Sequence, residues 1–257
     1  MIRWQTERDR RLTSLPVVAE TWDGYLNDIR GLHVRAEHVF AALDGAGGGP
    51  IAEGNVGGGT GMICHGYKGG TGTSSRVVPD GYTVGVLVQA NYGVGPALTI
   101  AGVPVGRELG CATWPCGGEH ESAPAGESSI IAIVATDAPI LRTELRQVAK
   151  RVSLGVGRVG GIGDEGSGDI FLAFSTGLDV EGEGPSYPME ALLGHLDSLY
   201  EATIQATEEA IVNALVAART MVGVDGRRVQ ALPLDRVRDM LGQFGRLATS
   251  SNIDNSA

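Results

Sequence analysis

Gly126-Glu-Ser-Ser-Ile-Ile-Ala-Ile-Val-Ala-Thr-Asp-Ala-Pro139 places Ser129 at the mouth of a short, β-branched, apolar run. A polar stretch precedes that run and Asp137-Ala-Pro closes it, which predicts a buried strand. A backbone break before Ser129 would leave a free amine beside the serine's own hydroxyl. A weak nucleophile would then carry its own base.

The chain has 257 residues, of which 42% are hydrophobic, so it can bury a sizeable core as one large domain or two small ones. Its 40 glycines show no Gly-X-Y period, which excludes a collagen-like chain and points to many tight turns. The formal net charge of −10, with no dense Lys/Arg block, would repel a phosphate backbone, so nucleic acid is not an expected partner. No apolar stretch reaches the roughly 18 residues of a membrane span. The opening Met1-Ile-Arg-Trp-Gln-Thr-Glu-Arg-Asp-Arg-Arg11 lacks the apolar core of a signal peptide. A soluble, cytoplasmic protein without a membrane partner is expected. Cys64, Cys111 and Cys116 form an odd set, which fits a reducing compartment. The spacing of Cys111 and Cys116 allows a metal or a local disulfide, but no second ligand pair follows, so plain loop cysteines, no metal and no cofactor are expected.

Residues 1–15 lack an apolar period. A strand-like segment is expected over Leu15-Pro-Val-Val-Ala-Glu-Thr-Trp22 and a short helix over residues 35–43, ended by the glycines at 45–49. Met62-Ile-Cys64, Val77-Val78, Tyr82 to Asn91 and Ala97 to Ala101 are strand candidates between glycine-rich turns. Residues 107–127 look like an exposed connection suited to a nick. Beyond the Ser129 strand, a helix is expected over residues 143–152, a strand over 167–176, a long helix over 189–219 and an amphipathic helix near 234–241. The polar tail 249–257 is expected to be disordered. Strands in the middle with helices after them imply stacked, mostly antiparallel sheets with outer helices, an α+β fold.

Gly155-Val-Gly-Arg-Val-Gly160 matches a dinucleotide fingerprint but follows a helix instead of a strand, so nucleotide binding is not expected. Gly54-Asn-Val-Gly-Gly-Gly-Thr-Gly61 lacks the Gly-Lys-Ser/Thr ending of a phosphate loop and suits a tight turn beside a buried site. His33, His38, His65, His120 and His195 show neither metal spacing nor local pairing with an acid, so a Ser-His-Asp mechanism has no support.

Several stretches resemble the self-processing L-aminopeptidase/D-esterase and β-peptidyl aminopeptidase family. They are Leu15 to Asp28, Glu53 to Met62, Lys68-Gly-Gly-Thr-Gly-Thr-Ser-Ser-Arg76, Val86 to Asn91, Ala101 to Arg107, Ser129 to Pro139 and Gly166 to Thr176, in the family's order. The resemblance implies an αββα sandwich similar to the ornithine acetyltransferases, and cleavage between Ser128 and Ser129. It makes Ser129 the nucleophile, Asn91 an oxyanion donor, Ser167 and Asp169 their catalytic companions, and Glu20 and Trp22 the binders of the substrate's amino end. A single domain over 1–248 is expected, with a 1–128 part and a 129–248 part after the cut. Family members carry further residues before the point where this chain begins, so a sandwich lacking its N-terminal portion is expected. Ser128 stands where most members have Gly or Asn.

The chemistry of these residues supports the implied activity. A liberated α-amine has a pKa of about 7.7–8.0, which suits a general base near neutral pH. A side-chain amide suits a tetrahedral oxyanion, and a carboxylate suits a substrate ammonium. Hydrolysis of short peptides, amino-acid amides or esters is therefore expected, and the resemblance implies a closed homo-oligomer. Acyl transfer and an unprocessed, non-catalytic remnant are the alternatives.

Overall fold

The computed structural model describes residues 1–8, 16–118, 128–177 and 196–247. Two helices, α1 (Ile2–Arg8) and α2 (Ala36–Asp44), precede the hairpin of β1 (Ile63–Cys64) and β2 (Tyr67–Lys68). There follow β3 (Gly70–Val77), β4 (Thr83–Asn91), α3 (Val105–Leu109), β5 (Ser129–Thr136), α4 (Arg142–Arg158), β6 (Ile170–Ser175) and α5 (Leu196–Ala217). A second hairpin, β7 (Met221–Val222) with β8 (Arg228–Val229), leads into α6 (Leu234–Gln243).

One four-stranded sheet, ordered β3-β4-β5-β6, organises the molecule. The first two pairings are antiparallel, and β5 runs parallel to β6 because α4 carries the chain back between them. Period-2 patterning decides which face is buried. Val84, Val86, Val88 and Ala90 of β4 and Ile130, Ala132 and Val134 of β5 point at α4 and α5 and form one cluster with Val148, Val152, Ile211 and Leu215. The opposite face carries Leu87, Ile131, Ile133, Leu172 and Phe174, with a groove of about 490 Å³ crossed by residues 49–51. The α+β class, the mostly antiparallel sheet and the outer helices are as expected. Of the four layers of an αββα sandwich, the described residues build one sheet and one helix layer.

The most consequential departure is β3. Its sequence, Gly-Thr-Gly-Thr-Ser-Ser-Arg-Val, has almost no apolar character, so only its end at Val77 reads as strand, yet it pairs along its whole length with β4. The reason is α5. A stripe of Ala202, Ala206, Ala210 and Ala214 lets that helix lie with its backbone on the strand. A Cβ on Gly72 would stand 1.9 Å from the Ala210 carbonyl oxygen. Asn213 Nδ2 donates to the Thr73 carbonyl at 2.9 Å and Ser74 Oγ to Glu209 at 2.8 Å, fastening the same contact.

Other expectations are corrected in the same physical terms. Residues 16–22 form no strand, and Ala97 to Ala101 is a 3-10 turn followed by a single bridge from Ile100 to Val103. α4 runs on through the Gly155-x-Gly157 motif, because a Cβ on Gly155 would meet Thr207 of α5 at 2.6 Å. Glycine there permits a helix crossing. The connection after residue 107 is exposed only in part: Arg107, Glu108 and Gly110 lie at the surface, but Cys111, Trp114 and Cys116 are buried, and Cys111 and Cys116 are joined by a disulfide, so they are not plain loop thiols. The expected nick region 119–127, the helix start at 189–195 and the tail lie outside the described residues.

Replacing Gly72 with Val is expected to cost about 2–3 kcal/mol through forced separation of α5 from β3. Urea denaturation checks this, and an unchanged midpoint would contradict the packing.

Candidate active site

Two strand beginnings make the site. Ser129 opens β5 and lies directly across from Asn91, the last residue of β4. It is 6% exposed. On its other side is the segment leading into β6, so close that a Cβ on Gly168 would be 3.7 Å from that of Ser129. The Gly168 N–H donates to the carbonyl of Ser128 at 3.1 Å, the very carbonyl a Ser129 hydroxyl would attack.

Ser167 and Asp169 were expected to share a strand face. The strand starts later, at Ile170, but the two side chains meet nonetheless: Ser167 Oγ donates to Asp169 Oδ1 at 2.6 Å. The same carboxylate oxygen accepts the Ile130 N–H at 3.2 Å. Asp169 thus ties the start of β6 to the residue after Ser129. Parallel pairing cannot begin abruptly without leaving backbone donors unpaired, and this carboxylate supplies the missing acceptor.

Asn91 is held at both ends of its amide. Oδ1 accepts the Ile63 N–H at 2.8 Å, and Nδ2 donates to the Trp22 carbonyl at 2.6 Å. Trp22 therefore reaches the site through its backbone, with its side chain half-buried. Glu20 lies exposed on the same irregular segment. The structure brings Ser128, Ser129, Asn91, Ser167 and Asp169 together, with Trp22 beside them, and leaves Glu20 at the surface.

Lys68 was missed as anything beyond part of a resembling stretch. It is 0% exposed, and its Nζ donates to the carbonyls of Gly59, Met62 and Gly69 at 3.1, 2.9 and 2.9 Å. In the ammonium form all three protons have an acceptor. The Met62 carbonyl belongs to the peptide whose N–H, on Ile63, meets Asn91, so Lys68 fixes the peptide that orients the amide. Desolvation lowers its pKa from 10.5 to about 7, against the opposing pull of Asp23. Neighbouring His65 is likewise held neutral by burial, with its pKa near 4. A lysine before two glycines was the available signal, but nothing local announces its burial.

A model of peptidase family S58 matches residues 1–229. The chain belongs to peptidase family S58. This S58 chain is 50% identical over 248 residues to the beta-peptidyl aminopeptidase of Sphingosinicella microcystinivorans, covering 91% of itself and 63% of that protein. It is 48% identical to the beta-peptidyl aminopeptidase of Sphingosinicella xenopeptidilytica, covering 90% of itself and 61% of that protein. It spans less than two thirds of the length of these curated relatives. Among solved structures, a Burkholderia sp. beta-aminopeptidase superposes with a TM-score of 0.81 at 44% identity, covering 96% of this chain and 70% of that one. The L-aminopeptidase D-Ala-esterase/amidase of Ochrobactrum anthropi, a prototype of the serine aminopeptidases with a variant of the Ntn hydrolase fold, gives 0.78 at 40% identity, covering 96% and 70%. This S58 chain therefore has that fold over its described residues. Among them, no helix is long and apolar enough to cross a membrane.

Replacing Lys68 with Met would strip three buried carbonyls of their donor and is expected to cost about 2–3 kcal/mol. The difference also depends on pH. Between about pH 7 and 10.5 the unfolded chain keeps the Lys68 proton while the folded chain has released it, so wild-type stability rises with pH in that window. Urea denaturation at pH 7 and pH 9 should show the gap between wild type and Lys68→Met widening. A constant or narrowing gap would contradict it.

Proposed function

We propose that this chain is a self-processing serine aminopeptidase that hydrolyses amide or ester bonds next to a free amino group, through an acyl-enzyme on Ser129. The observation that carries this reading is the Gly168 N–H on the Ser128 carbonyl, with Ser129 beside it and Asp169 gripping the next peptide. A hydrogen bond to a carbonyl oxygen strengthens as that oxygen becomes an oxyanion, so the donor favours attack over the resting amide.

In self-cleavage, Ser129 Oγ adds to the Ser128 carbonyl carbon as its proton leaves. The bond to the Ser129 nitrogen then breaks and that nitrogen takes up a proton. Water hydrolyses the resulting ester, freeing the Ser129 hydroxyl beside the α-amine already released and leaving Ser128 as a carboxylic acid. In turnover, the amine takes the hydroxyl proton, Oγ attacks the substrate carbonyl, and the protonated amine returns the proton to the leaving group. Asn91 is the proposed oxyanion donor, with its amide exchanging the Trp22 carbonyl for the substrate oxyanion. Ser167, already bonded to Asp169, orients and relays protons beside the new amine. Glu20 and Trp22 receive the substrate's amino end, the Glu20 carboxylate pairing with its ammonium.

Short peptides and amino-acid amides or esters are the proposed substrates. A closed homo-oligomer in the cytoplasm, each subunit one domain over 1–248 with its 1–128 and 129–248 parts packed together, is the proposed form. The Cys111–Cys116 bridge leaves Cys64 as the one free thiol and removes the absence of disulfides as support for that compartment.

Ser129→Ala is expected to abolish both division of the chain and hydrolysis of aminoacyl p-nitroanilides, the former read by mass spectrometry and the latter by absorbance. Division that persists in Ser129→Ala would refute the nucleophile assignment. Asp169→Asn is expected to slow both steps on the order of 10²-fold, the scale of losing an aligned catalytic partner.

A further inference from the structure

Next to the Ser128–Ser129 bond lies a small cavity of about 30 Å³, lined by Tyr92, Ser128, Asp164, Ser167 and the glycines at 160 and 163. That is room for one water molecule and for little else. Tyr92, one of the residues that line it, has a buried hydroxyl with no hydrogen-bond partner among the described residues. Tyr92 is 4% exposed, and leaving a phenol unpaired at that depth is costly.

The ring is fixed in place. His65 packs edge-on against it at 5.0 Å between centroids, and a Cβ on Gly161 would stand 2.6 Å from ring carbon Cε2. Only glycine at 161 lets the ring lie where it does. The hydroxyl stays protonated, because burial pushes its pKa well above the ordinary value and the charge of Asp169 pushes the same way. The backbone around the serines is equally determined: Ser167 N–H is tied to the Asp164 carbonyl at 2.8 Å and Gly168 N–H to that of Ser128.

We infer that this cavity is a binding site for a single water molecule, held by Tyr92 Oη, and that this water hydrolyses the ester in the second step of self-cleavage. The inference rests on the self-processing proposed above. Ser129 is 6% exposed and the Ser128 carbonyl is held by the Gly168 N–H, whereas a water in the cavity borders Ser128 directly. Tyr92 Oη donates its hydrogen to one lone pair of the water, which leaves the other lone pair for the carbonyl carbon. One proton of the water passes to the freed Ser129 amine. The new carbon–oxygen bond forms, the bond from the Ser128 carbonyl carbon to Ser129 Oγ breaks, and Oγ takes the proton from the amine. Ser128 is left as a carboxylic acid that ionises. Tyr92 is thus a positioning residue, acting through the water.

The test is Tyr92→Phe in the full chain, which removes one oxygen and keeps the ring. The chain should form the ester but hydrolyse it on the order of tenfold more slowly, the scale of one hydrogen bond. The accumulated ester should be cut by mild hydroxylamine, leaving a hydroxamate on Ser128 that mass spectrometry detects. A Tyr92→Phe chain that divides at the wild-type rate with no trappable ester overturns the inference, and so does a folded one that halts before the ester forms. If Tyr92→Phe does not fold, a high-resolution crystal structure of Ser129→Ala decides: a water bonded to Tyr92 Oη supports the site, and a cavity without water density overturns it. Wild-type protein that never divides before Ser129 refutes self-processing itself, which separates that failure from failure of the water site.

Discussion

Everything at the site depends on how two strands begin together. Asp169 places one carboxylate oxygen between the Ser167 hydroxyl and the Ile130 N–H, and Gly168 turns its N–H onto the Ser128 carbonyl. Two of these bonds join the residues before β6 to both sides of the Ser128–Ser129 peptide, and the third links Ser167 to Asp169 within that segment. Without them the parallel pairing that starts at Ile131 and Ile170 would fray at the point where chemistry is required. The same bonds that start the pairing also polarise a carbonyl beside a serine hydroxyl. Structural and chemical roles therefore coincide in a few atoms.

The scaffold brings the remaining groups to that point by backbone contact more than by side-chain reach. α5 can lie on β3 because alanine faces glycine, which sets the plane of the sheet and the position where β4 ends at Asn91. Asn91 is then oriented from two directions, by the Ile63 N–H and the Trp22 carbonyl. Lys68 secures the first of these from below. A lysine at full burial is expensive unless every proton has an acceptor, and here three carbonyls supply them.

The sequence made β5 legible because it has an unambiguous pattern, a β-branched apolar run between polar bounds. The long helix was equally plain, since its apolar period runs over many turns. β3 was illegible for the opposite reason: its strand character comes from a helix packed on it, a tertiary fact that leaves only glycines and hydroxyls in the sequence. The disulfide was similarly hidden, because the five-residue separation of Cys111 and Cys116 allows free thiols as well as a bridge. Of the side chains singled out by resemblance, the structure brings Asn91, Ser129, Ser167 and Asp169 together and leaves Glu20 at the surface. The contributions of Gly168, Lys68 and Tyr92 were not found. One acts through its backbone and the others through burial, and neither is written in a residue's type.

The most direct test of the account is the intact mass and N-terminal sequence of the purified wild-type protein. The account predicts two polypeptides, the second beginning Ser129-Ile-Ile, in a sample that hydrolyses aminoacyl substrates. An active sample containing only the undivided chain, or one divided at another bond, would contradict it.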